Sequence, residues 1–168
     1  MEKRNICNNK FSYNLKNKVV GLPVAFKGFP GEIKVEKNDL MLRESFHVSL
    51  VCVGKIIEKY NISISDFENK IIDDFCDFTK LNKIEIKRFG DFRFVVQDDL
   101  RSVVVMCEIS NLNNFFDSVN RKYGLAIEYP PTHVTLYTLE SKPGIFLTDS
   151  SDIKNLTKTI ENPTGVFM

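Results

Sequence analysis

Phe46-His47-Val48-Ser49-Leu50 and Thr132-His133-Val134-Thr135-Leu136 repeat one pattern of histidine, valine, hydroxyl residue and leucine, and between them they use both histidines of the chain. Apolar residues flank each copy, Val51 and Val53 after the first, Tyr137 and Leu139 after the second. Each copy therefore reads as a β-strand with side chains alternating between two faces. His47 and Ser49 then share one face, and His133, Thr135 and Tyr137 share one face of the second strand. Phe46, Val48 and Leu50, or Val134 and Leu136, are left to pack into a core. Two positions along a strand span about 7 Å, so an imidazole and a hydroxyl from one strand reach the same phosphate-sized group.

Working outward, residues 1–17 are polar and asparagine-rich and read as a loose arm or a short edge element, with one domain over 18–168. Lys18 to Phe26 reads as an opening strand, Gly28-Phe29-Pro30-Gly31 as a turn, and Glu32 to Leu42 as a stretch with one further short strand. After a helical turn at Lys55 to Tyr60, Ser65-Asp66-Phe67-Glu68 carries a capping-box pattern that predicts a helix over 65–81. Three strands follow, Lys83 to Phe89, Phe92 to Gln97 and Ser102 to Ile109, with turns at Phe89-Gly90-Asp91 and Asp98 to Arg101. Asn111 to Tyr123 reads as a helix stopped by Gly124. Pro130-Pro131 breaks the chain before the second motif strand, and Asp149 to Ile160 reads as a last amphipathic helix starting at Ser150 or Ser151. Strands and helices recur in each half around one motif strand. The expected fold is α+β, with antiparallel sheet and two related lobes.

Composition bounds what such a chain works on. The 168 residues are enough for a substantial core, and no apolar run has membrane length. The start lacks a hydrophobic stretch of signal-peptide type, and Cys7, Cys52, Cys76 and Cys107 are widely spaced. A cytoplasmic protein with reduced, mostly buried cysteines is expected. The net charge of +1 lacks the basic excess with which proteins hold long nucleic acid. A small nucleotide, an oligonucleotide or an RNA end fits better as partner than a long duplex, and a monomer with no membrane association is expected.

On its two tetrapeptides, His47-Val48-Ser49 and His133-Val134-Thr135, the chain resembles the two-histidine (2H) phosphoesterases, whose signature is a pair of His-x-[Ser/Thr] motifs on paired strands. The resemblance extends in architecture over roughly 18–162. It implies a bilobal fold of two pseudo-symmetric antiparallel-sheet lobes, helices outside and a central cleft. It also implies metal-independent, cofactor-free hydrolysis of 2′,3′-cyclic phosphates, RNA ends or cyclic and 2′–5′ oligonucleotide defence messengers.

The residue types suit that chemistry. Breaking a phosphodiester needs a base, an acid and donors for the phosphoryl oxygens. Histidine titrates near neutral pH and serves either proton role, while Ser49 and Thr135 donate to non-bridging oxygens. His133 is assigned as base and His47 as acid, roles that the sequence alone leaves exchangeable. No carboxylate or cysteine pair stands at ligand spacing from the histidines, so no metal site is expected. A single strand histidine is ordinarily structural, and the doubling of the motif is what favours function. Weaker substrate-binding candidates are Tyr137, Arg93, Phe94 and Phe26. Lys87, Arg88 and Arg93 interleave with Phe89, Phe92 and Phe94 as in a base-stacking clamp, although a solvated strand face above a phenylalanine core explains them more simply. Besides the enzyme, a non-catalytic nucleotide or RNA-end binding module and a protein whose two motifs coincide by chance remain open readings.

Overall fold

The structure, a computed structural model, describes residues 3–166 and 168. Among them ten strands and four helices make an α+β chain with a large open antiparallel sheet. None of those helices is long and apolar enough to cross a membrane. The chain divides into two units, one of Met1–Leu22, Ser49–Ile86 and Ile109–Pro130, the other of Pro23–Val48, Lys87–Glu108 and Pro131–Met168. The units thus interleave along the sequence and do not follow its two halves. Both histidines fall in the second.

In the first unit, β1 (Lys3–Ile6), β2 (Phe11–Asn14) and the start of β3 (Val19–Val24) pair antiparallel, with Ile6 opposite Phe11 and Tyr13 opposite Val20. Of the two expectations for residues 1–17, a loose arm and an edge element, the second describes residues 3–17, while residues 1 and 2 lie outside the described residues. Cys7, Asn8 and Asn9 all take left-handed backbone (φ 52°, 57° and 65°), a conformation asparagine tolerates better than most residues. Asn8 and Asn9 are thus hairpin-loop residues, while Asn5 and Asn14 lie in the strands. Phe11 inserts inward, its ring meeting Phe75 edge-on at 5.0 Å.

Cys7 is disulfide-bonded to Cys76, which corrects the expectation of four reduced cysteines. Cys52 and Cys107 are free, and burial pushes their thiols up to about 11 and about 12, so neither is a ready nucleophile.

Helices α1 (Val53–Lys59), α2 (Phe67–Leu81) and α3 (Leu112–Tyr123) complete this unit. Phe75 and Phe78 of α2 meet Phe115 of α3 edge-on at 5.2 and 5.5 Å, the geometry aromatic quadrupoles favour. The expected capping box does not form. Asp66 precedes α2 in left-handed backbone without a side-chain cap, and Glu68 accepts the Tyr13 hydroxyl at 2.6 Å instead. Asp74 of α2 accepts from Lys122 and Tyr123 of α3.

The second unit opens with a hairpin, β4 (Glu32–Val35) and β5 (Asn38–Leu42), where one strand was expected. Its loop is Glu36-Lys37, both left-handed (φ 46° and 70°), without the asparagine or glycine that would announce it. The strand order continues β6 (Phe46–Cys52, through Val48), β9 (His133–Thr138), β8 (Leu100–Ile109), β7 (Ile86–Gln97, from Lys87) and β10 (Thr157–Ile160), with β5 also pairing β9.

Two expected boundaries move. Phe89-Gly90-Asp91 is not a turn but the middle of β7, where a Cβ on Gly90 would lie 3.6 Å from Met106. Glycine there permits close approach within a strand. The last helix, α4 (Ser150–Leu156), is capped by Asp149, whose side chain accepts from the Asp152 amide, and it ends four residues early. Thr157–Ile160 pairs with β7 instead, consistent with the β preference of its threonines and isoleucine. Val95, Val104, Ile145 and Leu147 form this unit's apolar cluster, with Leu100, Met106, Ile153 and Leu156 packed on it.

Candidate active site

Val48 of β6 stands directly opposite Val134 of β9, both fully buried. One step to either side, alternation turns His47, His133 and Thr135 to the other face of the sheet. In an antiparallel pair that register sets His47 across from Thr135 and diagonal to His133, and diagonal neighbours lie about 7–8 Å apart, their Cβ atoms somewhat closer. Ser49 takes the same face of β6 as His47 and belongs to the first unit. His47 is exposed, Ser49 and Thr135 are half-buried, and His133 retains only 9% of its surface.

His133 is held from within its own strand entrance. Its Nδ1 lies 2.9 Å from the Pro131 carbonyl oxygen, and because a carbonyl can only accept, Nδ1 carries the proton and Nε2 the lone pair. Burial lowers the pKa of the imidazole, against a smaller opposing effect of that hydrogen bond. His133 is therefore neutral at neutral pH with Nε2 as acceptor. Next to it, Thr132 donates to Cys107 O at 2.6 Å and accepts the Cys107 amide at its carbonyl at 3.0 Å. These bonds fix the first residues of β9 on β8. The Pro130-Pro131 pair, read as a chain break, thus supplies the orienting acceptor, a role its residue type does not announce.

β9 carries an irregularity that alternation alone misses. Val104 pairs with Thr135 and Val103 with Tyr137, so Leu136 is an extra residue between them, as in a β-bulge. Since Val103 and Val104 point to opposite faces of β8, Thr135 and Tyr137 do too. Tyr137 is accordingly not on the histidine face, as was expected, but on that of Val134. It is fully buried, its hydroxyl donates to Pro30 O at 2.8 Å, and burial raises its pKa. Ser102 pairs with Thr138, which returns Thr138 to the face of Thr135.

Two further residues on that face were not singled out from the sequence. A Cβ on Gly144 would lie 3.3 Å from Thr135 Cγ2 and 3.4 Å from its Oγ1. Glycine there lets the chain after Lys142 pass close over Thr135. Arg43, just after β5, gives its amide to Leu136 O at 2.8 Å, and its guanidinium NH1 donates to Thr138 Oγ1 at 3.5 Å and to Lys142 O at 3.2 Å. A lone arginine outside any motif gives no sequence signal. Only the pairing of β5 with β9 brings it in.

The remaining candidates have partners of their own. Arg93 bonds Asp91 at 3.0 Å and Thr157 at 3.1 Å, so its charge is already met. Phe94, alternating with Arg93 on β7, is 2% exposed with Lys158 Nζ 6.0 Å from its ring centroid. Its burial removes it as a stacking surface. Phe26 is half-buried and packs with Phe29, Phe46 and Phe89 at centroid distances of 4.9, 5.1 and 5.5 Å. Among the described residues no group of three or more His, Cys, Asp and Glu side chains gathers as a metal site would require.

Comparison with protein-family models, with curated proteins and with solved structures gave no match.

Proposed function

We propose that this chain is a 2H-type phosphodiesterase that hydrolyses a 2′,3′-cyclic phosphate, or a 2′–5′ or 3′–5′ linkage, in a small nucleotide, oligonucleotide or RNA end. His133 Nε2 takes a proton from water as its oxygen attacks phosphorus. The bond from phosphorus to the ribose oxygen breaks, and protonated His47 gives its proton to the leaving oxygen. Proton exchange with solvent then restores both rings. Thr135 and Ser49 donate to the non-bridging oxygens, where charge builds in the transition state. The scheme draws on no metal ion and no cofactor.

The observation that carries this reading is the orientation of His133. Its Nδ1–H is spent on Pro131 O, which leaves an unprotonated Nε2 on the face shared with Thr135 and His47. That arrangement favours His133 as base and His47 as acid. A bilobal body around a cleft, a cytoplasmic setting and a monomeric state complete the proposal as the resemblance and composition frame it. Within it, cyclic or 2′–5′ oligonucleotide messengers of defence systems are the alternative substrates.

The test is hydrolysis, in EDTA, of a panel of 2′,3′-cyclic nucleotides, 2′–5′ and 3′–5′ dinucleotides and cyclic oligonucleotides by wild type, His47→Ala and His133→Ala. Turnover of one class, abolished by both substitutions, is the expected result. Nucleotide binding without turnover of any class would leave a binding module in place of the enzyme.

A further inference from the structure

We propose that Arg43 binds a second phosphate of the substrate, so that the site selects nucleotides bearing another phosphate next to the one attacked over nucleoside cyclic phosphates bearing none. The proposal rests on the phosphodiesterase reading and narrows its substrate class. Arg43 is half-buried, and its guanidinium acceptors, Thr138 Oγ1 and Lys142 O, are both uncharged. Arg88 and Arg93 of the same unit are each met by a carboxylate, Glu108 at 2.7 Å and Asp91 at 3.0 Å. Arg43 is paired with none among the described residues. A guanidinium is always charged and presents five donors in a planar fork, of which only NH1 is engaged here. Half out of water, with no counter-ion, it is an anion site awaiting its anion.

Its place suits a neighbouring phosphate better than the attacked one. Thr138 lies three residues beyond Thr135 on the same face of β9, a rise of about 10 Å before the bulge and the reach of the side chain shorten it. That is the scale of adjacent phosphates on one nucleotide strand. Beneath the guanidinium the surface is polar. Thr138 pairs with Ser102, whose hydroxyl is fully buried and has no partner among the described residues. The main chain at Lys142 holds the guanidinium from the other side.

The experiment compares adenosine 2′,3′-cyclic phosphate with its 5′-phosphorylated derivative as substrates of wild type, Arg43→Gln and Arg43→Lys. Wild type is expected to show a KM about tenfold lower for the 5′-phosphorylated compound. Arg43→Gln should bring the two KM values together, with Arg43→Lys between. A wild-type ratio near one, or a ratio untouched by Arg43→Gln, overturns the proposal while leaving the two-histidine reading intact. Should wild type turn over neither compound, the same comparison is made by calorimetric binding of adenosine 3′,5′-bisphosphate against adenosine 3′-phosphate. Tighter binding of the bisphosphate, lost in Arg43→Gln, supports the second-phosphate site. Equal binding by wild type overturns it.

Discussion

His47 and His133 stand at the same place in two copies of one motif, yet the first is exposed on β6 and the second is 9% exposed and anchored to Pro131 O. The strands differ accordingly. β9 is flanked by β8 along one edge and by β6 and β5 along the other. The same residue type thus stands in two surroundings, and only for His133 does burial hold the imidazole below its ordinary proton affinity. On the proposed reading, the motif names the two residues and their neighbours divide the roles between them.

The largest effects should come from removing the rings themselves. His133→Ala and His47→Ala are each expected to lower kcat/KM by about 10³-fold on the substrate found in the panel. A variant at either position that keeps near-wild-type turnover would break the division of labour. Thr135→Val removes a donor and keeps the shape, and should cost about 10²-fold in kcat. Thr135→Ser should restore most of that loss, which separates the hydroxyl from its methyl group.

The contrast in burial makes a prediction about pH. With the folded-state pKa of His133 held below its ordinary 6.5, the unfolded chain binds more protons as pH falls through 6.5. The stability linked to neutral His133 is therefore complete above 6.5 and declines as pH drops towards the folded pKa. Denaturant titrations across this range should show the decline in wild type and a flatter profile in His133→Gln. The acid limb of kcat/KM should likewise fall below 6.5. A limb at or above 6.5 would assign the base to the other histidine.

The smallest effects test the margins of the site. Gly144→Ala brings a methyl to 3.3 Å from Thr135, and a severalfold fall in kcat with little change in melting temperature is expected. Tyr137→Phe deletes the bond to Pro30 O on the opposite face. It should cost about 1 kcal/mol of stability by denaturant unfolding and leave kcat unchanged.

The motif strands were legible because strict alternation of apolar and polar residues survives through Thr135. It fails after that, since one inserted residue, Leu136, moves Tyr137 to the other face without any mark in the sequence. α3 was legible from Leu112, Phe115, Phe116 and Val119 at helical spacing and Gly124 at its end. The Glu36-Lys37 loop and the continuation of β7 through Gly90 were not, because tertiary pairing imposed backbone that local residue preference does not favour or misdirects. Arg43 and the Pro131 carbonyl enter the site only through long-range strand pairing and backbone geometry, which no motif records.

The bond between Cys7 and Cys76 closes a loop of sequence separation 69. On a chain-entropy account such a closure is worth about 4 kcal/mol against the unfolded state. A share of the first unit's stability is then decided outside the molecule, by the thiol–disulfide poise of its surroundings. In an oxidising compartment that share is permanent, and in a reducing one it lasts only as long as the bond escapes exchange.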